Sequence, residues 1–159
     1  MIFLKRFLPR LRVIPLRLAS IVPLIFATTA LAQTSLPTLE LSANFHRVEA
    51  EVAADQASRA RGLMYRESMA ANRGMLFVFP WAERHCMWMR NTLLPLSVAF
   101  LDDQGKILNI EDMRPLTEDN HCASAPVRFA LEMNRGYFAE KGIKPGQRIG
   151  GLGNSPIPR

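Results

Sequence analysis

Apolar and polar residues alternate from Phe45 to Ala53, with Val48, Ala50 and Val52 set against Arg47, Glu49 and Glu51, the period-two pattern of a strand with one wet face. A helix follows: Asp55 suits an N-cap, and Ala57, Ala60, Arg61 and Met64 recur at helical spacing until Gly62 and Tyr65 loosen the pattern. From Gly74 onward the pattern turns to β. Gly74 to Phe79 is a continuous apolar run closed by Pro80, and His85 to Met89 is a second run of large side chains. Leu96 to Leu101 meets a turn at Asp102-Asp103-Gln104-Gly105 and returns as Lys106 to Glu111, the clearest hairpin in the chain. Val127, Phe129, Leu131 and Met133 alternate with Arg128 and Glu132, which predicts another strand with one polar side. Arg135 to Lys141 predicts a short helix stopped by Gly142, and Lys144 to Gln147 a turn into Arg148-Ile149.

Six or so short strands and two short helices predict an α+β fold. The expected form is a compact β-rich single domain, a curled antiparallel or mixed sheet or a small barrel. It spans residues 45–150. Residues 33–44 carry turn formers and little periodicity and are expected to be a flexible linker. Residues 150–159 combine three Gly with two Pro, so 151–159 are expected to form a flexible tail.

Composition changes this picture in one place. The formal charge is +6, but five of the twenty basic residues (Lys5, Arg6, Arg10, Arg12 and Arg17) lie in the first 32 positions, which hold no acid. The remainder has 15 basic against 14 acidic residues, so no electrostatic footprint for nucleic acid or an anionic membrane is left. The basic segment reads instead as a secretory signal peptide over 1–32. An apolar stretch from Leu18 to Leu31, broken by Pro23, runs into the small-residue pattern Ala30-Leu31-Ala32, with cleavage expected between Ala32 and Gln33. That stretch falls short of the roughly 20 residues that cross a bilayer, which leaves an uncleaved anchor as the alternative. Export to the periplasm or beyond is the expectation, with no membrane contact after cleavage.

In that oxidising compartment the only cysteines, Cys86 and Cys122, are most simply one disulfide. Closing the 37 residues from 86 to 122 would stabilise the fold by about 4 kcal/mol in the chain-entropy picture. Each cysteine follows a histidine, so His85, Cys86, His121 and Cys122 form the alternative, a zinc or copper site helped by nearby methionines. Against it, adjacent residues of a strand point to opposite faces, and the spacing is unlike compact zinc ligation. The methionines Met64, Met75, Met87, Met89 and Met133 lie in or beside apolar runs and read as core filler.

Polar residues that interrupt apolar runs point to a ligand site. Arg61 shares a helical stripe with Ala57 and Met64, and Arg90-Asn91-Thr92 directly follows the run ending at Trp88-Met89. Arg61, Met64, Trp88, Asn91 and Thr92 are therefore the candidate ligand-binding residues, polar anchors on an apolar wall. Asn91 has the competing role of tying down a loop. No phosphate loop, nucleophile elbow or zinc-protease helix occurs, and the acid pairs at 102–103, 111–112 and 118–119 read as solvated.

Arg61-Gly62-Leu63-Met64-Tyr65-Arg66, then Arg73-Gly74-Met75-Leu76-Phe77-Val78-Phe79, then Met87-Trp88-Met89-Arg90-Asn91-Thr92 with Pro95-Leu96 resemble in order and spacing domain-of-unknown-function family 192, also called uncharacterised protein family 0127. The likeness continues through Ala99-Phe100-Leu101-Asp102, Leu131-Glu132-Met133-Asn134 with Gly136, and Gly142-Ile143 to Gly146. It implies one compact β-rich domain, often exported, with no established activity. By position its characteristic polar residues are Arg61, Arg66, Asn91 and Thr92. Many members carry an acid after Pro-Leu; here that residue is Ser97, which argues against a catalytic carboxylate at this position.

The leading expectation is a periplasmic accessory module that binds a small molecule or an envelope protein and uses no cofactor. A copper- or zinc-handling protein and a cell-envelope enzyme of unknown reaction are the alternatives.

Overall fold

The structure, a computed structural model, describes residues 35–159. The leader expected over 1–32 and its cleavage point lie outside the described residues. Thr38–Ala43 (β1) and His46–Ala53 (β2) form an antiparallel hairpin. It turns at Asn44, whose backbone is left-handed (φ 56°), a conformation asparagine tolerates better than most side chains. The alternation holds, since Val48, Ala50 and Val52 are buried, but the strand starts at His46 and leaves Phe45 exposed in the turn. The linker expected over 33–44 is corrected by β1. Leu41 sits opposite Val48 and is buried with Ala43 on the same side, so two apolar positions are enough once a neighbouring strand supplies the ladder.

Asp55 caps Gln56–Arg61 (α1) as expected. Its carboxylate accepts from the Ser58 amide at 2.8 Å, and the Asp55 amide donates to Ser58 Oγ at 3.2 Å, a reciprocal capping box. The helix ends at Gly62, before Met64. Arg73–Glu83 (β3) runs past Pro80, where it was expected to stop; the pairing register shifts between Val78 and Glu83, and a bulged segment needs no donor from proline. Then come Cys86–Met87 (β4), Leu96–Leu101 (β5), Ile107–Met113 (β6), His121–Cys122 (β7), Val127–Asn134 (β8), Tyr137–Glu140 (α2) and Ile149–Gly150 (β9), with a 3-10 turn at Leu152–Asn154.

Seven strands form one sheet in the order β6-β5-β8-β3-β2-β1-β9, mixed because β2 and β3 are parallel across the α1 crossover; β4 and β7 pair separately. The sheet curls until its edges touch. Ile107 donates to Gln147 O at 2.8 Å, Gly146 to Ile107 O at 2.8 Å and Ile149 to Gly105 O at 2.9 Å. Gly105 (φ 77°) permits this approach, because a Cβ there would lie 2.5 Å from the Ile149 carbonyl oxygen. This is the curled mixed sheet with two short helices that the pattern predicts.

Both faces of the sheet are dry at its central strands, β5 and β8. The concave side packs Leu41, Val48, Leu76, Leu131, Phe138 and Ile149, among others. The outer side packs Leu63, Met75, Phe77, Met89, Val98 and Phe100 under the loops after α1, β4 and β6. The central strand β8 is therefore covered on both sides, which corrects its reading as a strand with one polar face. The flexible tail expected over 151–159 is also corrected: Leu152 is buried, the Arg159 amide donates to Ala54 O at 2.8 Å, and its carbonyl accepts from Arg59 at 3.0 Å.

Candidate functional site

Strand register places Glu51, Met75, Glu132, Val98 and Glu111 in one row across the outer face, on β2, β3, β8, β5 and β6. The three acids meet three environments. Glu51 is gripped by the Arg66 guanidinium through two bonds of 2.6 Å, which hold its carboxyl below the usual carboxylate range. Glu111 lies on the edge strand, half-exposed, 3.9 Å from His121 Nδ1. Glu132 sits at the centre between Met75 and Val98 with 4% of its surface exposed. Burial pushes its carboxyl up to about 8, and among the described residues no side-chain hydrogen bond or ion pair opposes it.

Glu132 lines a cavity of about 30 Å³ whose other walls include Arg61, Met64, Phe77, Trp88 and Thr92. The fold thus brings together four of the five sequence-chosen ligand residues. Arg61, the last residue of α1, is exposed and makes no ion pair or hydrogen bond among the described residues. Trp88 is 43% exposed, with the Arg90 guanidinium 5.6 Å from its ring. Thr92 is buried, and its hydroxyl donates to Arg90 O at 3.4 Å.

Asn91 is not brought into the cavity lining. It has a left-handed backbone (φ 57°), and its carbonyl accepts from the Tyr65 amide at 2.9 Å, so it fixes the loop. Tyr65 (φ 63°) and Leu116 (φ 60°) are also left-handed, and the Leu116 amide donates to Thr92 O at 3.1 Å. For bulky side chains this conformation costs about 1–2 kcal/mol each, so backbone strain gathers in the loops that frame the cavity. Glu132 itself was missed, because the alternation of β8 assigned it to solvent.

Cys86 and Cys122 are directly opposed in the β4–β7 pair and joined as a disulfide. Each sulfur is bonded to the other, so neither is a thiolate, and the alternative ligand set His85, Cys86, His121 and Cys122 is not assembled. His85 stacks on Phe79 at 3.7 Å, while His121 faces Glu111. Among the described residues, no three His, Cys, Asp or Glu side chains are grouped to hold an ion.

A larger cleft of about 330 Å³ lies across the sheet between β6 and α2, lined by Ser97, Ile110, Asp112, Phe138, Ile143 and Lys144. The Ser97 hydroxyl donates to Asp112 Oδ1 at 2.5 Å and accepts from the Gly136 amide at 2.9 Å. Its donor is committed to joining β5, β6 and the start of α2.

The family DUF192, described as Uncharacterized ACR, matches residues 38–151. No curated protein matches the chain. Two crystal structures are similar. One is a protein from Sinorhizobium meliloti 1021, provisionally called a transcription regulator, at 36% identity and TM-score 0.72, covering 76% of this chain and 98% of that one. The other is a protein of unknown function from Novosphingobium aromaticivorans DSM 12444, at 31% identity and TM-score 0.62, covering 70% of this chain and 82% of its own.

Proposed function

We propose that this chain, which belongs to the DUF192 family, is an exported binding module that holds the polar end of a small molecule in the cavity formed by Arg61, Met64, Trp88, Thr92 and Glu132. One observation carries the reading: the buried, unpartnered carboxyl of Glu132 opens into the cavity lined by the residues that the sequence pattern selects for ligand contact. A polar group withdrawn from water without a partner destabilises the folded chain, and a ligand that supplies the missing hydrogen bond recovers that loss as affinity. The exposed Trp88 and the unpaired Arg61 at the mouth offer apolar and cationic contacts to the rest of the molecule.

Export is supported by the basic, then apolar, then small-residue pattern over residues 1–32 and by the Cys86–Cys122 bridge, a pairing that persists in oxidising compartments. Among the described residues no helix is long and apolar enough to cross a membrane. The regulatory label of the Sinorhizobium protein is not carried over, because beyond residue 32 the 15 basic residues are nearly matched by 14 acidic ones, without the basic excess that favours phosphate binding.

The test is mass spectrometry of the full chain after expression, first native and then denatured without reductant. The expected covalent mass is that of residues 33–159 less two hydrogens, from the periplasmic fraction, with extra native mass that Trp88→Ala loses. A cytoplasmic chain that keeps residues 1–32, or the same extra native mass above the covalent chain in the wild type and Trp88→Ala, none included, would refute the proposal.

A further inference from the structure

From the reading above, we infer that the cavity selects a small zwitterionic amine, its primary ammonium group seated on Glu132 and its anionic group held at the mouth by Arg61. Size sets the first limit. One water needs about 10–15 Å³ of such volume, so about 30 Å³ admits roughly two heavy atoms, an ammonium nitrogen and the carbon bearing it. A planar guanidinium or a carboxylate with its substituent is larger.

Chemistry sets the second limit. The lining includes the apolar Leu63, Phe77, Met64 and Met87, and the Thr92 hydroxyl has its one donor committed to Arg90 O, so what Thr92 and Glu132 offer a ligand are acceptors. Beside Glu132 an anion would gain the single donor that the carboxyl carries while it keeps its proton, and would meet a like charge once that proton is lost. A hydroxyl brings one donor, whereas an ammonium brings three donors and the opposite charge.

The nearby cations do not fill this role. Arg59, also on α1, spends its guanidinium on the Ala54, Val78 and Arg159 carbonyls at 2.7–3.0 Å, and Arg66 is committed to Glu51. In the same row, Glu111 faces His121 at the sheet edge, and on the covering loop Arg90 lies near the Trp88 ring and 3.8 Å from Glu118. Among the described residues Arg61 has no anionic partner and Glu132 no cationic one, and one molecule carrying both charges answers both.

The experiment titrates 4-aminobutyrate, n-butylammonium and butyrate into the folded protein, up to about 50 mM, a range suited to fragments of this size. Binding is read from the Trp88 indole N–H resonance, assigned with Trp88→Phe, and proton release by calorimetry in two buffers. Expected are binding of 4-aminobutyrate above n-butylammonium, no binding of butyrate, loss of at least about tenfold in Glu132→Gln, and release of close to one proton at pH 7. Below about pH 8 the affinity should rise about tenfold per pH unit, because the ammonium binds the ionised acid. The proton release and pH slope are read on the wild type and stand whether or not Glu132→Gln folds. Amine binding unchanged in Glu132→Gln, absent proton release, or no amine binding overturns the inference. Butyrate binding through Trp88 without amine binding would overturn it alone and leave the binding module standing, whereas silence from every probe together with no retained native mass would overturn both.

Discussion

Replacing Glu132 with glutamine should stabilise the protein, and should do so more as the pH rises. In the unfolded chain this carboxyl loses its proton near the ordinary value of 4.5, whereas in the folded chain burial holds the proton to about pH 8. Between those limits the folded state binds a proton that the unfolded state has released, so stability falls with rising pH. The slope is about 1.4 kcal/mol per pH unit, which accumulates to about 3 kcal/mol at pH 7 and about 5 kcal/mol at pH 8 and above. Water entering through the cavity mouth screens the carboxylate once it forms, so these are ceilings. Glutamine occupies the same space and does not ionise.

Urea unfolding followed by tryptophan fluorescence at about pH 5 to 9 should show wild-type stability declining to near pH 8 and then levelling with respect to this group, while Glu132→Gln lacks that decline. Glu51 and Asp55 do not confuse the window. Hydrogen bonds lower both, so their contributions are complete above the ordinary carboxylate values and are lost only in acid. Tyr137 is raised by burial and acts only above the ordinary tyrosine value. A constant difference between the two proteins across this range, or a wild type that gains stability from pH 5 to 8 relative to the variant, would refute the assignment of an unpartnered buried acid.

Three other perturbations have defined outcomes. Arg66→Ala should cost about 1–2 kcal/mol at pH 7, since its half-buried fork on Glu51 is a bidentate charged pair, and the cost should vanish in acid as Glu51 protonates; equal urea midpoints at pH 7 would contradict this. Cys86→Ser with Cys122→Ser should lower stability by at most about 4 kcal/mol, read as a shift in urea midpoint that the wild type shows only with reductant. Gly105→Ala should cost about 2 kcal/mol or more by thermal unfolding, because a left-handed alanine would also press its Cβ on the Ile149 carbonyl where the sheet edges meet.

Period-two alternation was legible where a strand has one partner layer or a clear turn, as in β2 and in the β5–β6 hairpin. It was silent on β1, whose place depends on β2 rather than on its own pattern, and on the tail, which is held by backbone bonds of Arg159 and by a single apolar side chain, Leu152. In β8 it misled. Phe129, Ala130 and Leu131 are three apolar residues in a row, and that break in the alternation was the available sign that the face shared by Ala130 and Glu132 is also covered. For the site, Arg61, Met64, Trp88 and Thr92 stood out as polar or aromatic interruptions that a loop brings to one cavity. Asn91 looked the same in sequence but serves the backbone, a distinction that only its left-handed φ reveals.

Among the described residues Glu132 makes no side-chain hydrogen bond or ion pair that offsets its burial. Its neighbours in the row, Met75 and Val98, are apolar, and at pH 7 the folded chain holds on it a proton that the unfolded chain has released, which opposes folding, so an apolar residue of similar size should pack better. Glu132→Met is therefore expected to raise the urea midpoint at pH 7 at least as far as Glu132→Gln does. A purely structural residue replaced with a gain in stability should leave ligand retention intact. If Glu132 instead holds a ligand, Glu132→Gln and Glu132→Met should both lose the retained native mass while unfolding at higher urea, stability and binding moving in opposite directions. Retained mass in the stabilised Glu132→Met protein would remove Glu132 from the site and leave its burial as an unoffset cost of the fold.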